Sequence, residues 1–518
     1  SLLNKLNPYD IVVLGLHYAN NNFWERHVVS HQDSIFVSEL CDKNKTIVNI
    51  FGHPKLLNSL PVDAADGIIL SYQNSSYFQD LTAQLNFGSI GASGRLSVAT
   101  NQFPVSSGLD IFATRKFEFV MPLDVGMNLD SLNKIDSIVQ LAIQDQVMPG
   151  CQIVVARHGK ICYSKSFGFH TYDSIESVKD FHLYDIASIT KIAATAPILM
   201  NLVDKRLIKL KKKLKSYDFF ISNPDKKNIK IIDLLAHQAQ LYPWIPFWQF
   251  YTGDNKSLQN PAFSDNFSQK YNLKVANNLF FNSNYIDSVY KIIFDYPLLE
   301  KKEYKYSDLG FYILQDLVAS KLSMSIEDYL YNYVYSPIEA FRIAYNPLYK
   351  FPLSHIIPTE DDRYFRHQLV RGYVHDQGAA LFGGVALHAG LFSNAIDLMK
   401  LMQLYLDEGV YMEHSIIPSK RIRQFTTAHF EKYGNRRGLV FDKPSINSEE
   451  QGPTCDSISM RSFGHSGFTG TLSWVDPDKE LIYIFLSNAR VYPNGNNTKL
   501  LDQNIRTEIQ KIIYQSLL

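Results

Sequence analysis

A serine and a lysine three residues apart open an apolar helical run. Tyr184-Asp185-Ile186-Ala187-Ser188-Ile189-Thr190-Lys191 leads into Ile192-Ala193-Ala194-Thr195-Ala196-Pro197-Ile198-Leu199-Met200, and any fold of this chain has to be organised around that stretch. Residues three apart on a helix share a face, so the amine of Lys191 reaches the hydroxyl of Ser188. A serine at a helix start also carries a backbone N–H with the partial positive charge of the terminus, suited to one half of an oxyanion hole. Its hydroxyl is a poor nucleophile until a base takes the proton, and a buried lysine of lowered pKa is such a base. The spacing alone is not specific. Ser131/Lys134 and Ser288/Lys291 repeat it in amphipathic stretches that read as solvated helix faces, so Ser188 has to be judged by its company.

The 518 residues suffice for two or three domains, and 46% hydrophobic with 20% charged residues is a globular composition. Lys+Arg and Asp+Glu balance at 51 each, which removes the electrostatic case for binding nucleic acid or an anionic membrane. No apolar run reaches the length of a membrane span. The N-terminus has no signal-peptide pattern, and with Ser1 in first place the chain reads as a processed or excised fragment. Cys41, Cys151, Cys162 and Cys455 lack metal-ligand spacing; Cys151 and Cys162 fall on facing strands of a hairpin and read as buried free thiols.

Residues 1–108 read as an α/β domain. Three short apolar runs, at residues 11–16, 46–52 and 67–72, fit strands buried on both faces of an open parallel sheet, and residues 31–42 and 76–87 have helical spacing between and after them. Residues 109–128, with Arg115-Lys116 and Met121-Pro122, read as a linker. The remainder, 129–518, reads as one α+β domain. It begins with a helix capped by Asp130, then a hairpin of strands at 151–157 and 161–167 around His158-Gly159-Lys160. After the Ser188 helix come a basic turn at 209–215 and a helix at 229–241 holding His237, which reads as structural. Residues 242–300, rich in Trp, Phe, Tyr and Asn, read equally as the roof of a pocket or as aromatic core. A helix entered through Ser307/Asp308 follows, then a glycine-rich segment at 383–393 whose small residues let backbone pass close to a site. Two strands, 471–475 and 481–487, precede a terminal helix at about 499–517. His375, Asp376 and His388 lack a third ligand at metal spacing, so no metal and no cofactor is expected.

Two resemblances add to this reading. Asn49-Ile50-Phe51-Gly52-His53-Pro54, Ala65-Asp66-Gly67-Ile68-Ile69-Leu70-Ser71-Tyr72, residues 87–98 and Phe103-Pro104-Val105-Ser106-Ser107-Gly108-Leu109 make residues 10–109 resemble the C-terminal α/β domain of glycoside hydrolase family 3, the β-glucosidase and β-N-acetylglucosaminidase group. That family's nucleophile lies on a preceding barrel for which this chain has no room. The resemblance therefore implies an upstream glycosidase barrel in a parent protein rather than glycosidase activity here.

The second covers about 125–518. Ser188-Ile189-Thr190-Lys191, Tyr306-Ser307-Asp308 and His465-Ser466-Gly467 stand in the order of the serine β-lactamase and penicillin-binding-protein superfamily, class C and family VIII esterase branch. The resemblance implies an antiparallel sheet flanked by helices with a helical subdomain, and a serine hydrolase. Ser188 would be acylated, with Lys191 and Tyr306 sharing the general-base work. Phe468 N–H would join Ser188 N–H in the oxyanion hole, His465 would face substrate and the Tyr306 oxygen, and Asp308, Ser466, Gly467 and Trp244 would contact substrate. Asp308 replaces the usual asparagine and tends to raise the lysine pKa; His465 replaces the lysine of antibiotic-hydrolysing members. Both changes favour an ester, amide or D-amino-acid peptide over a lactam. The fusion suggests peptidoglycan fragment turnover in the bacterial envelope. A non-catalytic wall-peptide binding module and an accessory to a larger β-N-acetylglucosaminidase are the alternatives.

Overall fold

The computed structural model describes all residues except 1, 19–28, 112–116, 218–223, 253–260 and 447–451. The chain divides into two compact units, Ser1–Glu118 and Phe119–Leu518. In the first, β1 (Val12–His17), β2 (Thr46–Phe51) and β3 (Gly67–Leu70) form a parallel sheet in that order, with α1 (His31–Lys43) and α2 (Ser76–Asn86) as its helices. Each helix is opened by a serine whose side chain accepts an amide of the first turn, Ser30 from Asp33 and Ser75 from Phe78. Only β2, the central strand, is buried along nearly its whole length; β1 alternates between exposed and half-buried residues. The apolar run of an edge strand thus does not carry burial on both faces with it.

Of the expected linker, residues 112–116, including Arg115 and Lys116, lie outside the described residues. Its later part belongs to the second unit: Phe119 bridges to Ile161 and Met127 to Leu517.

The second unit is built on a five-stranded antiparallel sheet. Its chain-order members are β4 (Gly150–Arg157), β5 (Lys160–Gly168), β8 (Phe463–Ser466), β9 (Leu472–Asp476) and β10 (Leu481–Ser487), arranged β8-β9-β10-β4-β5. The first and last segments of the unit meet in its middle, β10 pairing with β4 from Leu481↔Arg157 to Ser487↔Cys151. Helices α3 (Leu129–Gln144) and α7 (Ile505–Gln515) pack together with the sheet. Leu132, Ile135, Val139, Trp474, Tyr483, Ile509 and Ile513 form one core cluster there, their helical members at the 3- and 4-residue spacing of a buried face. Helix α6 (Ala395–Leu406) packs on β4, β9 and β10.

Helix boundaries depart from the sequence expectation at one side-chain cap and at two left-handed turns. Asn128, not Asp130, caps α3, accepting the Ser131 amide at 2.8 Å. The helix expected over 229–241 is one short piece, Ile231–Leu235, because the chain turns left-handed at His237 (φ 53°). The terminal helix is interrupted into Lys499–Asp502 and α7 by a left-handed Asn504. Residues 263–282 form a small three-stranded antiparallel sheet; residues 253–260 of that aromatic insertion are outside the described residues. All four cysteines are buried free thiols. Among the described residues no helix is long and apolar enough to cross a membrane.

Candidate active site

Ser188 sits in the turn between a short strand, β6 (Tyr184–Asp185), and a π-helical turn, Lys191–Thr195, that continues into α4 (Ala196–Asp204). Single π turns recur at functional sites, and here the loosened carbonyls find outside donors: Tyr405 Oη donates to Ile192 O at 2.6 Å and Tyr335 Oη to Ala193 O at 3.0 Å. The turn before Ser188 is strained, with Ala187 at φ 45°. Buried Asp185 holds it, accepting the Ala187 amide at 2.8 Å with one oxygen and the His375 amide at 2.7 Å with the other. Burial raises the Asp185 pKa and these two amides oppose the rise. The glycine-rich segment closes against the same turn. Its strand β7 (Leu391–Ser393) pairs with β6, and Gly390 (φ 115°) has no room for a side chain, since a Cβ would lie 2.2 Å from Gly384 O.

Lys191 is fully buried, and its ammonium meets three acceptors: Ser188 Oγ at 2.9 Å, Asp308 Oδ1 at 2.7 Å and His388 O at 3.2 Å. Ser188 Oγ and His388 O accept its hydrogen bonds, and Asp308 is its ion-pair partner. Burial works to lower the Lys191 pKa, but Asp308 and Tyr306 together outweigh it and the pKa ends above its ordinary value. The lysine is therefore an ammonium at rest, not the depressed amine expected from burial alone.

Tyr306 Oη donates to Ser188 Oγ at 3.0 Å. Its ring stacks on His237 (centroids 4.3 Å, 27°), and His237 Nδ1 accepts the Ser307 amide at 3.1 Å, so this histidine fixes the tyrosine. Burial raises the Tyr306 pKa, and the Lys191 and Arg437 cations pull against it. Asp308 stands at the start of α5 (Leu309–Ala319) without capping it, because its carboxylate goes to Lys191 instead. Ser307 is structural: its hydroxyl donates to Tyr242 O at 2.5 Å and accepts the Leu309 amide.

Strand β8 ends beside the nucleophile. A Cβ on Gly467 would come within 2.5 Å of Ile186 O and 2.0 Å of Thr471 Oγ1, so only glycine permits this approach. Thr469 Oγ1 donates to Asp185 O at 2.7 Å, tying the turn after β8 to the turn before Ser188. Among the described residues neither the Ser188 amide nor the Phe468 amide donates to a protein acceptor.

His465 lies beside Tyr306 (centroids 6.0 Å), yet both its nitrogens are already engaged. Arg437 Nη1 donates to Nε2 at 3.1 Å, which puts the proton on Nδ1, facing Ser466 O at 2.7 Å. Burial, then Arg437 and Lys191, push its pKa down to about 3. It is a neutral internal link rather than a cation turned to substrate. Trp244 is 58% exposed and lines a recess with Trp248, Asp308, Tyr312, Asp376 and Gln377. The recess holds about 350 Å³ of non-atom space, open solvent included. Trp248, by contrast, is core, stacked on Phe365 at 5.2 Å, so the aromatic insertion serves as both roof and core.

Two groups carried no signal in the sequence. Arg437 has its guanidinium 4.9 Å from the Tyr306 ring centroid and is held by Asp442 at 3.1 Å and Tyr304 Oη at 2.9 Å. Asp185 stands in the flank of the Ser188 motif, where the sequence assigns it no role of its own. The histidines after Arg371 form separate pairs, His375 with Glu360 and His388 with Asp376. The described residues do bring His170, Glu176 and His182 within metal-ligand range of one another. Arg371 Nη2, 2.9 Å from Glu176 and 3.1 Å from His170 Nδ1, already supplies the positive charge there.

A serine oxygen held by an ammonium and a phenol is an arrangement suited to acyl transfer. The Beta-lactamase family model matches residues 135–504, and the chain belongs to that family of β-lactamase-fold serine hydrolases. A protein of Escherichia coli O157:H7 named "Putative D-alanyl-D-alanine carboxypeptidase" is 26% identical over 404 residues, 73% of this chain and 87% of its own length. Among solved structures, EstCE1, a hydrolase with promiscuous acyltransferase activity, matches with a TM-score of 0.52 at 14% identity, over 74% of this chain and 99% of its own. The octameric penicillin-binding protein homologue from Pyrococcus abyssi matches with a TM-score of 0.51 at 18% identity, over 74% and 79%. At these identities the structural matches show a shared fold.

Proposed function

We propose that the chain cleaves ester or amide bonds of D-amino-acid peptides through an acyl-enzyme on Ser188, acting on peptidoglycan fragments. The observation that carries this reading is the convergence of Lys191 Nζ and Tyr306 Oη on Ser188 Oγ. Ser188 Oγ bonds to the substrate carbonyl carbon as its proton passes to the Lys191/Tyr306 pair, and the Ser188 and Phe468 amides bind the oxyanion. That proton then goes to the departing amine or alcohol as its bond to carbon breaks. Water repeats the sequence, releasing the acid and restoring the serine hydroxyl. The name of the E. coli relative supports the D-alanyl peptide among the possible substrates. The glycoside hydrolase family 3 resemblance of the N-terminal domain supports a wall-degrading setting, with a glycosidase barrel in a longer parent.

The resting ammonium gives the reaction a pH dependence. The pair accepts the Ser188 proton only after losing one of its own, so kcat/KM rises with pH. Asp308 holds the Lys191 pKa up, and removing its charge lets that pKa fall. In Asp308→Asn the ascending limb of the kcat/KM profile is expected at lower pH than in wild type, measured on a neutral ester. An unmoved limb, or one moved to higher pH, contradicts the assignment.

The same full pairing of Lys191 favours a second reading, a wall-peptide binding module without turnover. A fluorophosphonate or a labelled penicillin separates the two. Covalent labelling of wild type and none of Ser188→Ala is expected. Equal labelling of both, or of neither while peptide still binds, overturns the hydrolase.

A further inference from the structure

We infer that the recess beside Ser188, bounded by Asp308, Asp376, Tyr312 and Trp244, binds a primary ammonium carried by the substrate, so that the preferred peptides hold a free amine near the bond that is cut. The inference rests on the proposed acyl transfer at Ser188 and narrows its substrate class.

The recess joins the nucleophile through Asp308. Its Oδ1 lies 2.7 Å from Lys191 Nζ, which is itself 2.9 Å from Ser188 Oγ. The lining holds two carboxylates and no lysine, arginine or histidine. Both carboxylates are bound through one oxygen only. Asp308 turns Oδ1 to Lys191, and Asp376 Oδ1 accepts from the Ala379 amide at 2.7 Å and from His388 Nε2 at 3.1 Å. Among the described residues neither Oδ2 accepts a hydrogen bond from the protein. The two side chains are 20% and 35% exposed, so these oxygens are open to a ligand. Lys191 already offsets the charge of Asp308, and Asp376 therefore carries the larger part of the attraction.

Tyr312, on α5, is an observation independent of the acids. It is 3% exposed, yet its hydroxyl has no hydrogen-bond partner among the described residues. Its ring is held between Phe247, Phe382 and His388, with centroids at 5.4, 5.3 and 4.5 Å. Its Oη points to Gly378, where an added Cβ would fall 1.9 Å away, and Gly378 also lines the recess. Any other residue there would close that oxygen off. Burial, then Asp376 and Asp308, raise the Tyr312 pKa, so Oη stays a hydroxyl with lone pairs to offer.

Buried polar groups are nearly always paired, and an arriving donor would complete this one. An ammonium brings three N–H donors and no acceptor, which suits two carboxylate oxygens and a phenol oxygen. Trp244 is 58% exposed and has no ring packed on it among the described residues. It adds the aromatic face that attracts a cation. An anionic group would meet only repulsion from the two carboxylates.

The test is protection of Ser188 from fluorophosphonate labelling, which requires binding but not turnover. N-acetyl-D-norleucyl-D-alanine is the reference without an amine. D-Norleucyl-D-alanine offers an N-terminal ammonium, and N-acetyl-D-lysyl-D-alanine a side-chain one. In wild type one of the two amines is expected to protect at a concentration about 10- to 100-fold below the reference, and which one does so identifies the source of the ammonium. Asp376→Asn, whose side-chain oxygen can still accept from Ala379 and His388, is expected to bring the ratio near one. Tyr312→Phe is expected to lower it in part. No preference for either amine in wild type, or a preference undiminished in Asp376→Asn, overturns the inference while leaving the hydrolase standing. Should Asp376→Asn fail to fold, an undiminished preference in Tyr312→Phe overturns it equally. Absence of any labelling at Ser188 in wild type overturns the hydrolase and the inference with it.

Discussion

Lys191→Met is expected to lower kcat/KM by about 10³- to 10⁶-fold, the range seen when one member of a nucleophile–base unit is removed. The methionine keeps the apolar volume among Tyr306 and Phe311, each with its ring centroid 5.1 Å from the amine, but leaves Ser188 Oγ with only the phenol beside it. The same substitution strips Asp308 of its counter-ion. An ion pair broken on one side costs about 3 kcal/mol or more, so the single variant is also less stable. Lys191→Met combined with Asp308→Asn separates the two effects. The carboxylate charge is gone, so stability should return while activity stays lost. Chemical denaturation and ester hydrolysis measured on both variants check this. Activity returning together with stability would show that the lysine only supports the fold.

Asp185→Ala should be nearly as damaging by a different route. Two buried amides, Ala187 and His375, lose their acceptor, and an orphaned buried donor costs about 1–3 kcal/mol each. Part of that loss is offset because a carboxylate whose pKa burial raises is no longer held out of water. The left-handed Ala187 then has nothing to hold its strained backbone, and Ser188 is the next residue. The expected outcome is a lowered denaturation midpoint together with slower fluorophosphonate labelling per folded molecule. Normal labelling by the folded fraction would show that Asp185 stabilises the turn without aiming the serine.

The site was legible where the required chemistry is local. Ser188 and Lys191 meet because a helical turn brings positions three apart together, whereas Gly467 was expected only as a substrate contact, and its close approach to Ile186 O across the turn after β8 has no local signal. Tyr306 was placed by the order of the motifs, since no periodicity could connect residues 118 positions apart. Arg437 and Asp185 stayed hidden for the same physical reason. Each acts through partners brought to it only by the fold, and a lone arginine or aspartate has no spacing to read. His465 shows the reverse. Its position was legible, but its charge depends on a guanidinium 28 residues earlier that holds it neutral. The sheet of the second unit was readable as hairpin and strands, yet its joining of β4 to β10 is a long-range pairing that turn chemistry cannot signal. The starts of α1 and α2 were legible, whereas the cap of α3 fell to Asn128 and the helices expected through 237 and 504 were cut by left-handed residues.

The most direct measurement of the central claim is mass spectrometry of the protein quenched in acid shortly after mixing with an N-acyl-D-alanine ester or a penicillin, followed by digestion. The mass of the acyl group is expected on the peptide containing Ser188, absent in Ser188→Ala and strongly reduced in Lys191→Met. Acylation of another residue, or substrate consumed at the wild-type rate by Ser188→Ala, would contradict it.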